Sequence, residues 1–210
     1  MTVPSMKLLK AVIADDHVLF RQGLKFLLEE FGISVVGEVA DFASLSDVCA
    51  KVDFDLLICD CKMPRGSILS SVKEVKKNNP ESKVVILTGL ESQFLFNQLL
   101  AFGVNGVCVK STDVDEIANA IEFVSAGDTY VSKRVTSYEG WQEGLLTNKE
   151  FEVMQLILLG LNNNEVAIHL GNSERTINVH RANIMKKLNL SNAIELANFA
   201  YKNALVENCA

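Results

Sequence analysis

A short apolar run, KAVIA, delivers Asp15 and Asp16 side by side, and a second, FDLLIC, delivers Asp60. Two further runs end on Thr88 (VVILT) and Lys110 (VCVK). Adjacent carboxylates repel unless a cation or a solvated cleft compensates them. Each of these five residues closes a candidate buried strand. In a parallel sheet the C-terminal strand ends gather along one edge, where ligands bind. Three carboxylates there make the oxygen-rich, highly charged site that Mg²⁺ prefers. A carboxylate nucleophile, a dication, a hydroxyl and an ammonium suit phosphoryl transfer.

The elements that must place these residues are legible as alternating patterns. Apolar, β-branched runs recur at Leu8–Ala14, Ile33–Val39, Phe54–Cys59, Val84–Leu87 and Val107–Val109. Between them the apolar spacing is helical, as in Phe20, Leu24, Leu27, Leu28 and Phe31, or Ile117, Ile121 and Val124 after a cap at Asp113. Five strands alternating with helices predict an α/β domain over 1–126, a doubly wound five-stranded parallel sheet of order 2-1-3-4-5. From Gly127 to residue 144 the chain has no sustained period and reads as a linker, with Trp141 as a packing anchor. Residues 145–210 predict a small all-α domain of four helices, with TNKE at Thr147–Glu150 as a capping box, a break at NNNE, Ser173 as an N-cap and Leu190–Ser191 opening the last helix.

Composition sets the bounds. The chain has 210 residues, 49% hydrophobic and 22% charged, enough apolar material for two cores. No apolar run approaches the ~18 residues of a membrane span. The first ten residues lack a signal-peptide pattern, so a cytoplasmic protein without membrane partners is expected. The five cysteines form no C-x-x-C pair and read as reduced thiols. Residues 1–144 carry 14 basic against 20 acidic side chains, whereas 145–210 carry 6 against 6, which suggests two domains with different jobs.

The segments ADDH, DCKMP, LTG and the strand-end lysine resemble the receiver domain of bacterial response regulators over residues 8–126. That resemblance implies a flavodoxin-like fold in which Asp60 accepts a phosphoryl group from a sensor histidine kinase. Asp15, Asp16 and Asp60 would hold Mg²⁺ with the backbone carbonyl of Lys62, and Thr88 and Lys110 would bind the phosphoryl group. Two departures stand out. The loop MPRGSIL is shorter than the family's and lacks its Asp, and the aromatic switch position three before Lys110 is Val107.

In the helical half, the period of Glu174–Leu188 sorts Ile177, Ile184 and Leu188 to a core face. Arg175, Val179, Ala182 and Lys186 lie roughly opposite, with Asn178 on their flank. Such a helix after a tight Gly turn fits a DNA recognition helix in a major groove, but by spacing alone a solvated face on a structural helix fits better. The stretch from Leu145 to about Tyr201 resembles the LuxR-type helix-turn-helix, which favours the first. The resemblance implies double-stranded DNA contacts from Arg175, Thr176, Asn178, Val179, Arg181, Ala182, Lys186 and Lys187. Asn178 stands where the family usually has Lys, and Ala182 and Ala193 also depart from its pattern.

The whole resembles a two-domain response regulator of the NarL/FixJ type, not an enzyme beyond its self-phosphorylation chemistry. Paired half-sites predict a homodimer on DNA. Two alternatives stay open. Val107 and the altered loop suit a DNA-binding regulator without phosphate control. A Mg²⁺-dependent haloacid-dehalogenase-like phosphatase would need an acid two residues after the nucleophile, where this chain has Lys62.

Overall fold

The computed structural model describes residues 9–89, 92–110, 114–132, 146–203 and 205. Asp113 and Trp141 lie outside them. The strands β1 (Lys10–Ala14), β2 (Ser34–Val39), β3 (Leu56–Asp60), β4 (Lys83–Thr88), β5 (Gly106–Val109) and β6 (Tyr130–Val131) form one sheet of order β2-β1-β3-β4-β5-β6. Every adjacent pair is parallel. Helices α1 (Val18–Glu30), α2 (Phe42–Cys49), α3 (Ile68–Asn78), α4 (Gln93–Ala101) and α5 (Val114–Ala126) connect the strands.

The strands are buried because alternate residues face opposite layers. Ala11, Ile13, Leu56, Ile58, Val85, Leu87 and Cys108 share one face and pack in one core with Leu24 and Leu28 of α1 and Ile117, Ile121 and Val124 of α5. Burial on both faces explains why β3 and β5 read as continuous apolar runs rather than alternating ones.

The sheet has six strands where five were expected, and β6 falls in the stretch read as linker. Past Gly127, Tyr130 N–H donates to Asn105 O at 2.9 Å and Ser132 N–H to Val107 O at 2.9 Å. The Tyr130 ring stacks edge-on against Phe123 at 5.8 Å. Two residues carry no readable period, so only the β5 edge, with its open backbone groups, defines this strand.

The shortened loop after Met63 is built around a close approach. Gly66 has φ 150°, and a Cβ there would lie 2.7 Å from Cβ of Phe42. Phe42 N–H donates to Pro64 O at 3.0 Å, and Ser67 caps α3 by accepting from Ser70 N–H. The loop therefore docks on the start of α2.

By packing, the described residues divide into two compact units: those up to 89 with those from 102 to 132, and those from 92 to 101 with those from 146 onward. α4 thus groups with the C-terminal helices, although the sequence reading counts it in 1–126. The second unit adds α6 (Asn148–Leu158), α7 (Asn163–Leu170), α8 (Glu174–Lys187) and α9 (Ala193–Lys202). Within it Gln98 is fully buried and exchanges two 3.0 Å hydrogen bonds with the backbone of Leu146. Phe94 meets Phe199 edge-to-face at 5.0 Å. Ser92 Oγ donates to Asn203 Oδ1 at 2.9 Å.

The caps follow the sequence closely. Thr147 and Glu150 form the capping box of α6, and Asn162 and Glu165 form a second one at α7. α7 ends on Gly171 in the left-handed region (φ 62°), with Asn172 N–H returning to Ala167 O at 2.9 Å. Ser173 caps α8. The cap of α9 is Asn192, one residue beyond the expected Leu190–Ser191 start, since its side chain accepts from Glu195 N–H.

Candidate functional site

Register alone brings the acidic residues together. Ala14 pairs with Cys59, so Asp15 and Asp60 emerge side by side, and Thr88 pairs with Val109, the residue before Lys110. Asp15, Asp60 and Thr88 are buried, while Asp16 and His17 are exposed. Lys110 Nζ lies 2.7 Å from Asp15 Oδ2 and 2.7 Å from Asp60 Oδ2. One donor atom from each of Asp15, Asp16, His17 and Asp60 falls within 4.8 Å of the others. Lys62 contributes its N–H to Asp60 Oδ1 at 3.2 Å.

One ammonium shared by two buried carboxylates cannot fully compensate both. Burial pushes the Asp60 carboxyl above the usual range, against the pull of Lys110 and the Lys62 N–H, and the Asp15 charge adds to the rise. For Lys110 burial works toward neutrality, but hydrogen bonds to Asp15 and Asp60 more than offset it and hold its proton. The site keeps an excess of negative charge over hard oxygen donors, which suits a dication such as Mg²⁺.

Three neighbours carry no site role in the sequence reading. His17 N–H donates to Asp15 Oδ1 at 2.8 Å, and its Nδ1 lies 2.8 Å from Asp16 Oδ1. Arg21 donates to the Asp15 carbonyl and lies 3.6 Å from Glu38. The Phe20 ring lies 4.7 Å from Lys110 Nζ. Their only signal is position: all lie within six residues after the aspartate pair, on the first turn of α1 or its cap. The cysteines beside Asp60 add no nucleophile. Burial drives the Cys59 thiol well up and that of Cys61 to about 12.

The second cluster of predicted residues lies on α8. Ile177 and Ile184 are fully buried and fix its inner face. Arg175, Val179, Ala182 and Lys186 share the exposed face, Val179 with 55% of its surface accessible. The other four have partners within the unit. Thr176 Oγ1 lies 2.8 Å from Ser173 Oγ. Asn178 Oδ1 accepts from Asn163 Nδ2 at 2.6 Å, and Arg181 donates to Asn163 Oδ1 at 3.1 Å. Lys187 Nζ binds Glu150 Oε2 at 2.6 Å.

Residues 11–122 match the response regulator receiver domain, and residues 144–200 match the bacterial regulatory proteins of the luxR family. The chain belongs to the NarL/FixJ family of response regulators. The regulator is 29% identical to the nitrate/nitrite response regulator protein NarP of Escherichia coli, over 91% of this chain and 94% of that one. It is 30% identical to the oxygen regulatory protein NreC of Staphylococcus carnosus, over 95% and 100%. Among solved structures it is similar to RcsB of Salmonella enterica serovar Typhimurium bound to promoter DNA in the presence of a phosphomimetic, with a TM-score of 0.67 and 27% identity over 92% and 98% of the chains. The regulator therefore joins a receiver domain to a LuxR-type DNA-binding domain and controls transcription. Among the described residues no helix is long and apolar enough to cross a membrane.

Proposed function

We propose that the regulator is a phosphorylation-responsive, cytoplasmic transcription factor in which Asp60 accepts a phosphoryl group from a sensor histidine kinase. A carboxylate oxygen of Asp60 forms the new bond to phosphorus as the bond to the kinase imidazole breaks, and the imidazole leaves with the electron pair. Asp15, Asp16 and Asp60, with the Lys62 carbonyl, would hold Mg²⁺, which supplies charge neutralisation of the phosphoryl oxygens. Lys110 and Thr88 donate to those oxygens. The observation that carries this reading is the position of Lys110 Nζ, 2.7 Å from both Asp15 and Asp60. A cation already sits between the two buried carboxylates and is placed to turn toward an arriving phosphoryl group.

The exposed face of α8 reads the major groove, with Arg175 in its first turn, Val179 further along and Lys186 toward its end, as a homodimer on paired half-sites. The decisive experiment incubates the full chain with Mg²⁺ and a small-molecule phosphodonor. Intact mass, oligomeric state and binding to a random duplex pool are then read on the same samples. Asp60→Asn is expected to abolish labelling, and labelling that persists would overturn the assignment. Arg175→Ala is expected to weaken the selected site more than random DNA.

A second reading keeps support from Val107. It is an aliphatic residue with no exposed surface in the middle of β5. A regulator that binds DNA with little dependence on phosphate fits that residue.

A further inference from the structure

The hydrogen bonds around Asn178 fix what its side chain can offer to a base. Arg181 is a pure donor, so the atom of Asn163 that it reaches at 3.1 Å must be the amide oxygen. The Asn163 nitrogen is then the atom facing Asn178, at 2.6 Å, and the atom it meets must be the Asn178 oxygen. The chain of donors thus runs Arg181 to Asn163 to Asn178, and flipping either amide would break a bond of the chain. Asn163 begins α7 and Asn178 lies on exposed α8, so the network also ties the two helices of the turn together. A free asparagine reads adenine by accepting from N6–H and donating to N7 at once. At 178 the oxygen end is held against α7, and the NH₂ end is the one left for a ligand.

We propose that Asn178 is a specificity-determining residue that presents N–H donors alone and so reads an acceptor edge, guanine N7 and O6, in preference to adenine. This rests on the reading of α8 as the DNA-contacting helix. One of the side chains that the family resemblance assigned to DNA then acts differently: Arg181 positions Asn163, and Asn163, within the NNNE break, orients the reader. A Lys at 178 would need no such orientation, because an ammonium is a donor in every rotamer.

The test is selection from a random-sequence duplex pool with the full chain as wild type, Asn178→Ala, Asn163→Ala and Asn163→Asp. Wild type should select one guanine per half-site whose preference collapses in Asn178→Ala, by about fivefold to a hundredfold, the range of a good base contact. In Asn163→Ala the amide is free to turn, and adenine should become acceptable at that position. Asn163→Asp is the sharper variant. Its carboxylate still accepts from Arg181 but can only accept from Asn178, which turns the amide so that its oxygen faces outward. The preferred base should then change to one offering a donor edge, adenine or cytosine. An acid at the first position of a helix is favourable, so this variant keeps α7. Circular dichroism melting of each variant checks that. Adenine at the Asn178-dependent position in wild type, or an unchanged base in folded Asn163→Asp, overturns the proposal. A motif that survives Asn178→Ala unchanged also overturns it but leaves the α8 reading standing. Failure of wild type to select any motif overturns both.

Discussion

Lys187 at the end of α8 places its ammonium 2.6 Å from Oε2 of Glu150, the buried acid that closes the capping box of α6. A residue that the family resemblance assigns to DNA thus also ties α8 to α6. The same carboxylate oxygen accepts from Thr147 N–H at 2.8 Å and Thr147 Oγ1 at 2.9 Å. Lys187→Ala should therefore cost about 1–2 kcal/mol of stability, between an exposed and a fully buried pair because 38% of the lysine side chain is exposed. A double-mutant cycle with Glu150→Gln checks it by thermal melting. The double variant should lose clearly less than the sum of the singles, and simple additivity would count against the pair.

The same pair predicts a pH dependence. Burial would raise the Glu150 carboxyl, but Lys187 and Thr147 together hold it below the usual glutamate value. A carboxyl depressed on folding stabilises above its unfolded value, about 4.3, and that stability is lost as pH falls through the lower folded value. Stability of the wild type should fall on acidification below about pH 4.5, and Glu150→Gln should show a shallower fall. Parallel denaturant titrations at several acidic pH values would reveal identical slopes if Glu150 played no part.

The acidic centre should separate its exposed and buried members. Asp16 is 37% exposed, and Asp16→Asn should leave metal-free stability within about 0.5 kcal/mol while reducing the rise in melting temperature that Mg²⁺ produces. Asp15 is buried and bonded to Lys110, so Asp15→Asn should lower metal-free stability by about 1–3 kcal/mol. Melts with and without Mg²⁺ decide this, and an undiminished Mg²⁺ shift in Asp16→Asn would remove that residue from the site.

Val107 is fully buried, and its strand neighbours Ile86 and Val131 flank it on both sides. No ring swings there, so phosphorylation should improve operator affinity by no more than about tenfold, or 1.4 kcal/mol. Val107→Tyr should overpack the strand and cost about 1–3 kcal/mol rather than restore a switch. Titration of one operator with both forms at one salt concentration tests the first statement, and a hundredfold gap would refute it.

Gln98 offers a last test within the second unit. Gln98→Ala strands the N–H and C=O of Leu146, which is itself buried, at about 1–3 kcal/mol for each unpaired group. Hydrogen exchange at the Leu146 amide should quicken, whereas unchanged protection would show that its burial does not depend on this side chain.

The sequence by itself determined the strand ends and the helix starts. β-branched runs terminating on Asp15, Asp60, Thr88 and Lys110 state where the acidic edge lies, because a side chain's place at a strand end is a local property of the chain. Thr147, Asn162 and Ser173 mark their helices for the same reason: a cap is a bond between residues two or three apart. Ile177 and Ile184 orient α8 by period alone. Only the tertiary structure decided the partners. Lys110 reaches Asp15 and Asp60 across 95 and 50 positions of chain. Lys187 reaches Glu150 across 37 positions, and Asn178 turns its oxygen to Asn163. β6 exists because β5 leaves an edge to cover, and α4 joins the second unit through Gln98 and Phe94. A polar side chain's partner depends on which donor or acceptor the fold brings within 3 Å, and residue type carries only the capacity for that bond.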